Sequence, residues 1–171
     1  LGYLFNELGQ KDAALKSYKI AISLNPEISQ PYCFVAEVLM ESGKYEDAKF
    51  NLIKALRLSI NWYYYFLLGL AFILSNQVEQ GLQYLIRSLL NKPNYESYLL
   101  MAILHLNHGR VGTSKSYFLQ AIELDQCWDS LHGAGNMYKY LVDKLPFAEN
   151  HHSLKLAAAE LRNLSIQKFL D

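Results

Sequence analysis

Cysteine is scarce: Cys33 and Cys127 are the only two in 171 residues. Two thiols cannot form a disulfide framework, and their scarcity fits a reducing compartment such as the cytoplasm. A basic excess is lacking as well. Sixteen basic and sixteen acidic residues give a formal net charge of zero. A protein that neutralises phosphates needs an excess of cations, so neutrality argues against nucleic acid as the partner. There is no long apolar run either. The apolar, ring-rich run WYYYFLLGLAFIL is thirteen residues long, from Trp62 to Leu74. A bilayer span takes about 20 apolar residues, so no membrane helix is expected. No initiator Met and no signal peptide stand at the start. The chain opens on LGYLFNELG, which reads as the middle of a helix, and a fragment of a longer chain is the expectation. No glycine-rich phosphate loop, nucleophile elbow or HExxH occurs, and no cofactor is expected.

What is present is a repeat. Gly9, Gly43, Asn76 and Gly109 are spaced 33–34 residues apart, each closing an apolar stretch. Glycine or asparagine there suits a left-handed turn after a helix. The same step carries small residues in three further columns: Gly2, Ala36, Gly69, Ala102 and Gly135; Ala14, Ala48, Gly81 and Ser114; Ala21, Ala55, Ser88 and Ala121. A bulky column, Tyr18, Leu52, Leu85 and Phe118, runs between the last two. Two apolar-periodic segments per unit at this period mean stacked helical hairpins. Small columns let paired helices approach, bulky columns fill the space between, and stacking buries the face that one hairpin leaves open. The first turns of the second helices carry Asp12, Glu46, Asp47 and Glu79, while Lys19, Lys54, Arg57 and Arg87 stand toward their ends. That order complements the helix dipole, at about 0.3–1 kcal/mol each.

These columns resemble the tetratricopeptide repeat. Residues 1–26 keep Leu1, Gly2, Phe5, Gly9, Ala14, Tyr18, Ala21 and Pro26 of its pattern; Tyr65, Leu68, Gly69, Phe72 and Pro93 repeat it, as do Tyr98, Ala102, Gly109, Phe118 and Ala121. The resemblance implies an all-α fold: a right-handed α-solenoid of antiparallel hairpins. The expected units are 1–28 (lacking the start of its first helix), 29–61, 62–94, 95–127, and an atypical 128–171. In that last unit LPFAENHHS delays the second helix and Leu154, Ala157, Leu161 and Leu164 cap the stack.

In this family the first helix of each hairpin lines a groove that holds a peptide or helix of a partner. Carried over by column, the resemblance puts Phe66, Leu70, Ile73 and Leu74, joined by Leu99, Ile103 and Leu106, on an apolar groove floor, at about 1.5–3 kcal/mol per side chain buried. Glu37, Glu41, Asn107, Asn136 and Tyr140 are the polar groove residues expected beside them. Glu7, Glu37, Glu41, Glu96 and Asp129 face one basic groove residue, Lys139, so a ligand with apolar anchors and some positive charge fits best. Family members that grip the carboxylate of chaperone tails use a basic groove set that this sequence lacks. The alternative for the apolar floor is burial within the molecule itself, by a tight twist or by an upstream segment.

His105 and His108 are three apart and could share a metal, but no Cys, Asp or Glu is spaced to complete a zinc set. A packing role is the expectation, and no catalytic residue is assigned. The leading reading is a non-catalytic adaptor that binds another protein. The second is a structural subunit, or a regulatory domain of a larger enzyme. RNA binding, known among the related pentatricopeptide hairpins, is disfavoured by the period, the neutral charge and the apolar groove.

Overall fold

A computed structural model describes residues 1–124. Among these the chain is all-helical: α1 (Gly2–Glu7), α2 (Lys11–Leu24), α3 (Ser29–Glu41), α4 (Tyr45–Leu58), α5 (Trp62–Leu74), α6 (Val78–Asn91), α7 (Tyr95–Asn107) and α8 (Val111–Leu124). Consecutive helices pair as hairpins. They fall into two compact units, Leu1–Lys92 with α1 to α6, and one beginning at Pro93 that contains α7 and α8. The capping helix expected near the C-terminus, Asn136 and Tyr140 lie outside the described residues, as does Cys127.

Each hairpin turns the same way because one backbone device recurs. Gly9, Gly43 and Gly109 have φ of 71°, 72° and 71°, and Asn76 has φ of 64°. In the second hairpin, Gly43 N–H donates to Met40 O (3.0 Å) and Lys44 N–H to Leu39 O (2.9 Å). Those are the two bonds of a Schellman C-cap, and both recur after α1, α5 and α7. Left-handed backbone penalises any residue with a Cβ, and asparagine least among them. The column of glycines with one asparagine is therefore a turn specification. On the far side of each hairpin the chain extends. Asn61 and Asn94 then cap α5 and α7, their Oδ1 atoms accepting from Tyr63 N–H (2.8 Å) and Ser97 N–H (2.9 Å).

Packing explains the small columns, which face one another across the hairpin. A Cβ added at Gly81 would lie 2.8 Å from Gly69 O and run into Ile73 Cγ1; one added at Gly69 would lie 3.0 Å from Gly81 O. Helices α5 and α6 thus meet backbone to backbone. In the unit beginning at Pro93, the same columns place Ser114 against Ala102, and the buried Ser114 hydroxyl donates to Ala102 O at 2.8 Å. The bulky column is buried throughout: Tyr18, Leu52, Leu85 and Phe118. Between α1, α2 and α3, Ala14, Tyr18, Val35 and Val38 form a core cluster, with the Tyr18 and Phe34 rings 5.1 Å apart.

Neighbouring hairpins of Leu1–Lys92 are also joined by a buried lysine. Lys49 of α4 donates to Glu46 Oε1 (2.6 Å), Ser75 Oγ (3.2 Å) and Gln77 Oε1 (3.0 Å), and its ammonium lies 4.5 Å from the centre of the Phe72 ring. A buried ammonium is tolerated only when its donors are taken up, and here all three are. The dipole expectation holds in part. Asp12, Glu46, Asp47 and Glu79 stand in first turns, but of the four cations only Arg57 reaches a last turn. Lys54 and Arg87 instead lie over aromatic rings, at 4.6 Å from Phe50 and 5.2 Å from Tyr84.

The α5–α6 contact yields a paired expectation. Gly81→Ala should destabilise the chain by about 1–3 kcal/mol, because the added methyl meets backbone at Gly69 and cannot be accommodated by a rotamer change. Gly112→Ala, where a Cβ meets nothing within 4 Å, should be neutral or stabilising by up to about 1 kcal/mol. Urea unfolding followed by circular dichroism measures both.

Candidate functional site

The first helices of Leu1–Lys92 are α1, α3 and α5. Their shared side gathers around Glu37, in the middle of α3. Tyr63, at the start of α5, donates its hydroxyl to Glu37 Oε1 at 2.9 Å. Cys33, one turn before Glu37, places its Sγ 3.9 Å from the same oxygen. The Tyr63 ring lies 6.2 Å from the Phe66 ring in a stacked arrangement and meets Trp62 edge-on at 5.6 Å. Farther along α5, Leu70 and Leu74 are half-buried. Glu41, one turn beyond Glu37, is exposed and pairs with Lys11 at 3.1 Å. Both partners are well hydrated, so the pair contributes little to stability.

The electrostatics follow from desolvation without a counterion. Burial raises the Glu37 carboxyl above its usual range. The Tyr63 hydroxyl opposes this by stabilising the charged form, Glu41 adds to it by repulsion, and Cys33 opposes it weakly. Burial, followed by the Glu37 charge, raises the Cys33 thiol too. A buried, protonated thiol is neither a nucleophile nor a thiolate ligand. The Tyr18 phenol is raised by burial first, then by Glu37, Tyr3 and Glu7. Acidic groups of α1, α2 and α3 on this side therefore sense one another, with Glu37 at their centre.

Not every residue expected on an apolar floor is placed there. Ile73 is fully buried because it packs into the space that Gly81 leaves open; it belongs to the α5–α6 contact and offers no surface. Phe66 is 3% exposed and stacked on Tyr63. Leu99, Ile103 and Leu106, in the other unit, are buried as well, at 5%, 0% and 9% exposure. Of the seven apolar residues, Leu70 and Leu74 retain appreciable accessible surface. Asn107 is half-buried, and its Oδ1 finds no hydrogen-bond partner.

Two contributors, Tyr63 and Cys33, fall on the groove side by column but were not singled out as site residues. Tyr63 stands 26 positions from Glu37, a separation set by the offset between neighbouring hairpins and not by the repeat period. Of the two histidines, His105 of α7 packs and His108 stands exposed at the helix C-cap. His105 stacks on Tyr117 at 5.4 Å, and burial first, then the charges of Arg110 and His108, lower its basicity. His108 Nδ1 lies 2.7 Å from Leu104 O. Among the described residues no three His, Cys, Asp or Glu side chains cluster as a metal site would require. No described helix is long and apolar enough to cross a membrane.

Comparison with known proteins bears on this geometry. The family model described as tetratricopeptide repeat matches residues 1–28, 29–59 and 95–126. The α5–α6 hairpin between those matches has the same plan. A comparison with curated proteins returned no match. Among solved structures, one of MamA shares the fold at TM-score 0.67 and 16% identity, covering 98% of this chain and 94% of its own. MamA 41-end from Desulfovibrio magneticus RS-1 does so at TM-score 0.65 and 20% identity, over 75% of this chain and 73% of its own. YrrB, described as a TPR protein with an unusual peptide-binding site, aligns at TM-score 0.61 and 25% identity over 93% of this chain and 88% of its own.

The raised Glu37 carboxyl has a consequence for stability. A group whose pKa is higher in the folded state favours folding in its protonated form, and that advantage is lost as pH rises through the folded value. Glu37→Gln should therefore raise the melting temperature relative to the parent at neutral pH. The difference should shrink as pH falls through the raised folded value and be gone below the carboxyl's ordinary value of 4.5. Thermal melts across that pH range measure it.

Proposed function

The chain belongs to the tetratricopeptide repeat family, and from that premise we propose that it is a non-catalytic interaction scaffold receiving a peptide or helix of another protein on the first-helix side of Leu1–Lys92. The observation that carries this reading is the juxtaposition on α3 and α5. Accessible apolar surface at Leu70 and Leu74 lies on the same helix as a stacked ring pair, next to a half-buried carboxylate. Apolar area gives affinity and a few placed polar groups give orientation. The Schellman turns and the close helix contacts hold that side rigid, so the ligand bears most of the ordering cost on binding. The likeness to YrrB supports the same reading, since that protein is described by its peptide-binding site.

Zero net charge favours a protein partner over nucleic acid. The protonated, buried Cys33 thiol and the packed His105 of α7 give no support to catalysis by these groups.

The test is selection of peptides from a displayed random library on the 171-residue chain, followed by fluorescence polarisation with a synthetic copy of a selected peptide. Leu70→Asp should weaken binding by about 10-fold or more, the equivalent of losing one buried leucine, while far-UV circular dichroism stays helical. Ile103→Asp is not an equivalent probe, because Ile103 is fully buried and its loss would be read as unfolding. Failure to select any peptide, or an unchanged Kd in Leu70→Asp, would remove this face as the docking surface.

A further inference from the structure

The second helices of Leu1–Lys92, which are α2, α4 and α6, carry a polarised outer surface. In their first turns Asp12, Glu46 and Glu79 fill one exposed column. One turn later the composition inverts. From residues 16, 50 and 83 onward the exposed positions of these helices hold no acid. They hold five cations: Lys16, Lys19, Lys54, Arg57 and Arg87. Large apolar side chains stand among them, with Leu24 81% exposed, Phe50 60% and Leu90 82%. Among the described residues none of the five cations pairs with a carboxylate; Lys54 and Arg87 lie instead over the rings of Phe50 and Tyr84.

The contacts between hairpins bring these columns side by side. Tyr32 of α3 donates to Pro26 O, just after α2, and its ring lies 5.7 Å from the Lys54 ammonium of α4. Lys49 of α4 and Tyr84 of α6 both rest on the Phe72 ring. Each helix C-terminus adds about half a negative charge, and Glu27 follows α2. Five cations exceed these together, so this edge is positive although the chain as a whole is neutral.

We propose that this face docks on an anionic phospholipid surface, its apolar side chains entering the headgroup boundary and its cations meeting lipid phosphates. The arrangement fits a bilayer better than an acidic protein segment. The core of a protein interface is depleted of lysine and gathers its apolar anchors inside a polar rim. Here the two kinds alternate at neighbouring positions: Lys19 beside Ile20, Ile53 beside Lys54, Ile86 beside Arg87. A bilayer boundary takes both at every position, because long cationic side chains reach past apolar ones to the headgroups. The proposal is independent of the peptide-docking reading, since no residue of the first-helix side takes part.

The experiment is co-sedimentation of the 171-residue chain with vesicles of phosphatidylcholine, alone or with phosphatidylserine added. The chain should pellet with the anionic vesicles and stay in solution with the neutral ones. Lys54→Gln and Arg87→Gln should each weaken partitioning by about fivefold, and Leu90→Ser by about tenfold. All three side chains are exposed, so far-UV circular dichroism should be unchanged. Equal partitioning onto both vesicle types, or none onto either, would overturn the proposal. So would undiminished partitioning of the Lys54→Gln, Arg87→Gln double variant. A synthetic peptide alternating glutamate and leucine supplies the rival outcome: if it binds, loses affinity in Lys54→Gln, and vesicles stay unbound, the face belongs to an acidic protein segment and the lipid assignment falls.

Discussion

Everything in this chain depends on how closely two antiparallel helices can approach. At the α5–α6 contact the limit is set by backbone, with Gly69 and Gly81 each leaving no room for a Cβ on the other. Ile73 fills the remaining volume. Other hairpins reach a similar contact with alanine or serine in the same columns, and Ser114 converts its hydroxyl into a bond to Ala102 O. Because the approach is close, the bulky column beside it can be fully buried, and each hairpin presents a defined face to the next.

The same closeness shapes the side where a ligand would lie. Packing α3 next to α5 brings Glu37 under Tyr63 and removes part of its hydration. A carboxylate so placed has two ways to lower its energy, by holding a proton or by gaining a cation. The first makes its ionisation pH-dependent. Burial of Phe66 and Ile73 restricts the accessible apolar surface of α5 to a few side chains.

Rigidity comes from the turns and from one ion. Four Schellman caps hold the hairpin connections in a conformation that most residues resist. Lys49, bonded to Glu46, Ser75 and Gln77, ties α4 to the turn between α5 and α6. A buried ammonium with all donors taken has few alternative positions.

The hairpins, their turns and the facing of small columns were legible in the sequence because they are properties of a period. A left-handed turn needs glycine or asparagine, a close approach needs a small residue, and both recur at the same step. The unusual apolarity of α5 was also plain. Its destination was not, because residues on adjacent sides of one helix differ only in what packs against them. Ile73 looked like a neighbour of Leu70, yet the missing Cβ at Gly81 drew it inward. The Tyr63–Glu37 bond likewise had no trace in the pattern, since it joins different columns of successive hairpins. The sequence by itself determined which elements form and which columns pair, since those follow from local backbone chemistry and side-chain size. Only the tertiary structure decided which apolar residues stay accessible and which carboxylate loses its water, since both depend on the offset and rotation of helices far apart in the chain.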